Sequence, residues 1–413
     1  MKNIKFVILV FTLLFTGSVF GQSSIYSRYG LGINALGVSA KEMSLNGAST
    51  ALSESEHLSS SNPAGWSSLA LVRFEGGLSL TQTFQKDANG KRDIFSARFQ
   101  GIRFGVPLQS DYGIVLALFL EPLTFVDYDV QNHYNDNNFG QFDKEFSGEG
   151  GLSKFGFGLT YVTPFNFALG ATFDYYSGST EYTSALIFGE LSPYRNSIHK
   201  QKFDQRGIGF SVGTISSDLS KVFNSESITD FRFGFSYRYV PKVVIDTFLI
   251  VKSHLEEITT AHGVTSAAIP YTASFGMKME LHKSTTLLLD LKFAPWSNYK
   301  FNDKTGNDYT DREKIGLGIE YKDKRLKTKT FLQKLTYRGG LSYEKTKFLI
   351  NGNNVNEYSI SAGIGVPMNQ TDILDFAIRL GQRGNTNLGM VEEKFINFGI
   401  SLSFGEKWFS RRR

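Results

Sequence analysis

The stretch Ser44–Leu71, SLNGASTALSESEHLSSSNPAGWSSLAL, is small and polar, rich in Ser, Gly and Ala, and shows neither helical nor strand periodicity. At Val72 the character changes in one step. Val72, Phe74, Leu78 and Leu80 share one face of an extended chain, and Arg73, Glu75, Ser79 and Thr81 share the other. That period of two, the mark of a strand with two unlike faces, recurs as far as Phe404. A compact segment ahead of a long series of amphipathic strands predicts an N-terminal plug with a barrel wrapped around it.

Later segments repeat the design. Phe155, Phe157, Leu159 and Tyr161 oppose Lys154, Gly156, Gly158 and Thr160, and Ile396, Phe398, Ile400, Leu402 and Phe404 oppose Asn397, Gly399, Ser401 and Ser403. A soluble sandwich also alternates, with its apolar face inward. Here the Phe and Tyr density of the apolar face and the absence of helices to cover it assign that face to lipid. The predicted fold is all-β: a transmembrane antiparallel β-barrel of about fourteen strands, centred near residues 78, 99, 116, 158, 171, 211, 235, 276, 290, 318, 340, 362, 378 and 400. Connections alternate in length. Pro107–Asp111, Thr163–Asn166, His282–Thr285 and Pro367–Ile373 read as tight periplasmic turns. Glu121–Leu152, Ser177–Arg206, Val240–Pro270 and Pro295–Arg312 read as long outer loops. Ser216–Thr229 and Lys322–Lys334 are long for periplasmic turns and leave room for a protein partner on that side.

Met1–Gly21 reads as an export signal, with Lys2 and Lys5 before the apolar run Phe6–Phe15 and a small-residue site at Val19–Gly21. The predicted organisation is residues 1–21 signal, 22–71 hatch, 72–404 barrel and 405–413 a basic, aromatic periplasmic tail. Aromatic residues make up 14 % of the 413-residue chain and there are only 9 Pro, which excludes a disordered chain. The net charge of +5 gathers at Lys2, Lys5 and Arg411–Arg413, so no nucleic-acid surface is indicated. There is no Cys. The six His are scattered without metal-ligand spacing, and no Ser sits in a nucleophile elbow. The expectation is a non-enzymatic outer-membrane protein with no cofactor or metal. Lumen-facing Arg232, Arg238, Asp290, Lys292 and Arg379 read as a polar lining, and inward Gly156, Gly158, Gly234, Gly276, Gly316 and Gly318 as room for the plug.

Asn62-Pro63-Ala64 starts a turn, because Pro63 fixes its own φ and pushes Asn62 out of the helical region. Together with Gly47–Ala51 and Ser61–Trp66, and with Ile269–Gly276, Leu289-Asp290 and Pro295–Ser297 downstream, it resembles the FadL-type outer-membrane transporters of long-chain fatty acids and other hydrophobic compounds. The ending, Glu392–Phe395 through Glu406–Phe409, is similar to FadL-like proteins of the Bacteroidota. The resemblance implies a fourteen-stranded barrel closed by a hatch whose motif is Asn62, Pro63 and Ala64. It also implies a hydrophobic small-molecule ligand, captured outside and released sideways into outer-membrane lipid. The alternative is a non-transporting barrel that scaffolds a larger outer-membrane complex.

Two stretches stand out as ligand surfaces. Val243–Val251 is apolar inside an expected outer loop, so Phe248, Leu249 and Ile250 are candidates for capture, or else the run extends the strand pair. Gly113, Val115, Ala117 and Phe119 form an apolar face on the lumen side. Val115, Ala117 and Phe119 either line an exit path or pack against the hatch. Just before them the parity slips by one, from Phe95, Ala97 and Phe99 to Ile102, Phe104 and Val106. Such a slip marks a bulge, and places an expected side opening near Gln100–Ile102 and Gly113–Phe119.

Overall fold

A strand in the hydrocarbon region must pair on both edges, and this constraint is met almost all the way round the molecule. The protein is described from a computed structural model, which covers residues 24–408 apart from 38, 89, 190–191, 224, 253–256 and 324–329. The expected signal, 1–21, and the tail beyond residue 408 lie outside the described residues. Fourteen antiparallel strands form the wall: β1 Val72–Lys86, β2 Lys91–Gln109, β3 Ile114–Asp136, β4 Gly140–Val162, β5 Ala168–Phe188, β6 Ser197–Ile215, β7 Ile228–Lys252, β8 Glu257–Leu281, β9 Thr285–Ala294, β10 Arg312–Tyr321, β11 Thr336–Ile350, β12 Asn353–Pro367, β13 Ile373–Arg383 and β14 Glu392–Glu406. Each pairs with the next, and β14 returns to β1 with Glu406 opposite Val72 and Glu392 opposite Lys86. All the expected strand centres fall inside these segments.

The apolar parity faces out. Phe155, Phe173, Leu341 and Phe398 remain about half exposed, which only lipid makes favourable for so many large side chains. The opposite parity is buried and polar, as at Ser211, Ser236, Ser274 and Ser361.

The tight turns stand where expected, but three of the four expected outer loops are mostly strand. β3 runs on to Asp136 and β4 starts at Gly140; β5 extends to Phe188; β7 reaches Lys252 and β8 starts at Glu257. The reason is physical. Above the bilayer the outer face meets water and need not be apolar, while the backbone ladder continues. Val243–Val251 is therefore strand and not loop. Only the segment between β9 and β10 keeps the character of a loop, and it folds inward.

Residues 24–71 lie inside the barrel and contact its wall on several sides. The segment contains short 3-10 helices at Ile25–Arg28 and Pro63–Ser68 and one α-helical turn, α1 Ala40–Ser44, capped by the Ser39 hydroxyl. Gly213 on β6 lets it approach closely, since a Cβ there would overlap the Asn62 side chain. Gly158 on β4 does the same for the Trp66 ring, 2.7 Å from the position of a Cβ. Replacing Gly213 by Val should leave the barrel assembled, judged by heat-modifiable migration in SDS gels. It should cost about 1–3 kcal/mol through overpacking, read as a lower unfolding midpoint.

Candidate functional site

Asn62 is fully buried and N-caps the 3-10 helix, its Oδ1 accepting from Ala64 N at 3.0 Å. Its Nδ2 donates to Thr50 O at 2.8 Å inside the hatch, and to Thr214 O at 3.1 Å and Phe235 O at 3.2 Å on β6 and β7. Pro63 supplies the fixed φ that starts the helix, and Ala64 packs with Ala168 and Ile215 on the wall. Two strands further round the wall, Asp290 on β9 accepts from Ser49 N at 3.1 Å and from the Thr50 hydroxyl at 2.6 Å. Both stretches that carried the family resemblance therefore fasten the hatch.

Charge completes the attachment. Lys41 of α1 pairs with Glu54 and, at 3.1 Å, with Glu320 of β10. Glu320 accepts in turn from Arg338, which also reaches Asp375. Burial would raise the Glu54 carboxyl, but the Lys41 ammonium and its hydrogen bond hold it down to about 2. His57 is kept neutral by burial and by the nearby Lys41 and Arg338 cations. It faces Glu75 at 3.3 Å, and the same carboxylate accepts from Leu58 N at 2.8 Å.

Above this floor is a chamber of about 250 Å³. Nine cationic residues line it: Arg103, Lys154, Arg238, Lys292, Arg312, Lys314, Lys347, Arg379 and Arg383. Only four carboxylates answer them: Glu42, Glu121, Glu344 and Glu357. Trp66, Phe119, Met43 and Leu123 give it an apolar side. An aromatic layer lies over it. Trp296, Tyr299 and Tyr309 of the inward loop stack on one another, with centroids 4.9–6.2 Å apart, and Tyr309 covers Gly30 of the N-terminal segment. Val243 and Ile245 belong to this buried layer with Trp296 and Tyr299.

Beside the chamber the wall opens. β2 and β3 pair from Ile102–Leu120 down to Gln109–Ile114 and nowhere above. Gln100 is the extra residue of a bulge against β1, since Gly77 faces Gly101 and Leu78 faces Phe99. Gly101, at φ +109°, sits where the strands part, and a Cβ there would lie 2.6 Å from Leu120 O. Pro122 follows on β3, with no N–H to offer a neighbour. Beyond it the freed edge of β3 is taken by the plug: Ile33 and Asn34 pair with Phe125 and Thr124, and Ala35 N donates to Leu123 O at 2.9 Å. Only side chains bridge β2 to β3 here, through Arg98 to Asp127 and Arg92 to Asp129.

The bulge thus lies where the parity slip places it, but the opening lies higher than expected. The ladder is unbroken across residues 114–120. Val115, Ala117 and Phe119 are buried against Leu58, Trp66 and Leu69 of the hatch, because an apolar inner face finds its partner in the plug. Only Phe119 also reaches the chamber. Phe248, Leu249 and Ile250 are half-buried on the outer part of β7, with Phe248 stacked on His262 at 4.8 Å. Arg238, Lys292 and Arg379 were legible as lumen charges; Arg312, Lys314, Lys347 and Arg383 were missed, because only cross-strand register brings them to one place. No cluster of three metal-ligating side chains occurs among the described residues.

The family model described as BamG matches residues 1–413 of this sequence. The chain belongs to the BamG family. No curated protein matches it. Among solved structures this BamG-family chain is similar to a Pseudomonas aeruginosa FadL homologue, at TM-score 0.60 and 14 % identity over 91 % of this chain and 99 % of that one. It is also similar to the toluene transporter TodX of P. putida, at TM-score 0.58 and 16 % identity over 91 % of this chain and 100 % of that one. A third is the Ralstonia pickettii toluene transporter TbuX, at 0.57 and 16 % identity over 90 % and 99 %. At such identities the likeness establishes the fold: this BamG-family chain has the barrel fold of the FadL homologue and the two toluene transporters.

The Lys41–Glu54 pair lies within the N-terminal segment, and its loss in acid should loosen the packing of that segment. The folded carboxyl titrates below its unfolded value of about 4.3, so the pair stabilises fully above that pH and is lost as pH falls towards 2. Planar-bilayer recording of the intact protein should show no steady porin-like current from pH 8 to 5, and openings should appear below pH 4.

Proposed function

We propose that this barrel passes a hydrophobic or amphiphilic compound between its chamber and the bilayer, sideways through the opening between β2 and β3. The observation that carries the reading is the loss of backbone pairing above Ile102 and Leu120, at a point where Arg103, Phe119, Glu121 and Leu123 also line the chamber. Ile33–Ala35 act as the gate, because they hold the β3 edge through a few backbone hydrogen bonds. Each such bond contributes only about 0.5–1.5 kcal/mol net. The exit path runs past Phe119 and over Pro122, not past Val115 and Ala117. Phe248, Leu249 and Ile250 are the first apolar surface an arriving ligand meets at the outer end. The likeness to two proteins described as toluene transporters supports this reading without naming a substrate.

A chain without Cys allows a clean test. Arg98→Cys and Asp127→Cys, joined by a short bis-maleimide, staple β2 to β3 across the opening. Transfer of a fluorescent fatty acid into lipid vesicles should fall at least tenfold on stapling, while each single variant stays near wild type. An unchanged rate in the stapled protein rejects lateral passage.

A second reading, a barrel subunit that scaffolds a larger outer-membrane complex, has one observation in its favour. The connections on the short-turn side carry Val222, Phe331 and Leu332 at 76, 65 and 64 % exposure. Recovery from native membranes in a stoichiometric complex, lost on Val222→Ser with Phe331→Ser, would favour it.

A further inference from the structure

We propose that the chamber binds a multiply charged anion of the phosphate-monoester kind, free or as the head of an amphiphile. The proposal rests on the chamber-and-opening reading above and names its ligand class.

Lys292 on β9 and Lys314 on β10 stand directly opposite each other, on the lumen face. Like charges in that relation repel. Both ammonium groups converge on one point of the hatch: a Cβ at Gly47 would lie 3.7 Å from Lys314 Nζ and 3.8 Å from Lys292 Nζ. Their nearest carboxylates are already engaged. Glu344 accepts from Arg312 at 2.7 Å and leaves Lys314 at 3.8 Å. Asp290, 3.8 Å from Lys292, is occupied by Ser49 and Thr50. Lys347, only 2 % exposed, lines the same chamber and its Nζ has no hydrogen-bond partner. It rests over the Trp296 ring at 4.1 Å. Arg238 has one long contact, to the Thr272 hydroxyl at 3.5 Å, and no carboxylate among the described residues.

Four cations are thus gathered in an enclosed space with little to neutralise them. A buried charge without a partner is costly, and an anion removes that cost for several of them together. One carboxylate would answer one cation. A phosphate monoester brings close to two charges and three acceptor oxygens at neutral pH, which suits donors arriving from β7, β9, β10 and β11. Ser61, already 3.1 Å from Lys292 Nζ, adds a hydroxyl donor on the hatch side. At about 250 Å³ the chamber admits a head group and not a two-chain lipid. A tail would leave through the β2–β3 opening, along the apolar side formed by Phe119 and Leu123.

The test uses the full-length barrel in detergent at constant ionic strength set with chloride. Binding of glycerol 3-phosphate, of a single-chain lysophosphatidate and of lysophosphatidylcholine of the same chain length is measured by calorimetry. Lysophosphatidate should bind at least tenfold more tightly than lysophosphatidylcholine. The double variant Lys292→Gln with Lys314→Gln should lose at least tenfold of that affinity. Without ligand its unfolding midpoint should be equal to or above that of the wild type, because a repulsion has been removed. Lys347→Met is an independent second variant with the same expected loss. If glycerol 3-phosphate binds as tightly as lysophosphatidate, the site takes free phosphate esters; if it binds at least tenfold more weakly, the source is an amphiphile. Failure of both phosphate esters to bind above the zwitterionic control, or unchanged affinity in the variants, overturns the proposal. The two readings fail separately: phosphate binding with unaltered transfer in the stapled barrel rejects lateral passage alone. Staple-sensitive transfer of fatty acid without phosphate binding rejects the anion site alone.

Discussion

In a bilayer every backbone N–H and C=O must find a partner within the protein, and the rest of this molecule follows from how that demand is met. Round most of the circumference the ladder meets it. Between β2 and β3 it does not, since Gly101 turns β2 away and Pro122 has no donor. The N-terminal segment then supplies part of what the neighbouring strand withholds, with Ile33 and Asn34 pairing to Phe125 and Thr124. The plug is thus more than a filler of the lumen. Over a short stretch it belongs to the sheet, and its place is fixed by the break in the wall.

The lower hatch is held by different means. Polar contacts tie it to the wall: Asn62 to two carbonyls, Asp290 to Ser49 and Thr50, and Lys41 to Glu320. Apolar patches join them at several places: Leu58, Trp66 and Leu69 on Val115, Ala117 and Phe119, Ala64 on Ala168 and Ile215, Leu45, Ala48 and Leu52 on Leu288, and Ala40 and Met43 on Ala377. Water can replace polar contacts at small net cost, whereas it cannot replace burial of an apolar patch. The patch on β3 sits directly below the point where β2 and β3 stop pairing.

Much of the fold was legible because lipid imposes a strict alternation on each strand inside the bilayer. Phe155, Phe157 and Leu159 needed no structural knowledge to be placed. Outside the bilayer that constraint lapses, which is why Asp127–Asp136 and Val243–Val251 read as loop while their backbones remain paired. The bulge at Gln100 was legible as a slip in parity. The opening above it was not, although Pro122 was a signal: a proline inside a wall strand marks an edge without a neighbour. The chamber was only half legible, since parity assigned Lys292 to the lumen but said nothing of its register, and Lys314 was missed. That Lys292 faces Lys314, and Lys314 faces Glu344, follows from turn lengths and strand pairing.

The chamber also qualifies what the fold alone suggests. A path for neutral hydrocarbons needs a dry, apolar lining, because each cation left beside such a ligand must give up water for nothing in return. Here the lining is mainly cationic, and Arg103 and Lys154 stand beside Phe119 on the side where the pairing breaks. A lining that mixes many cations with Trp66, Phe119 and Leu123 suits a ligand with two unlike ends better than a neutral hydrocarbon.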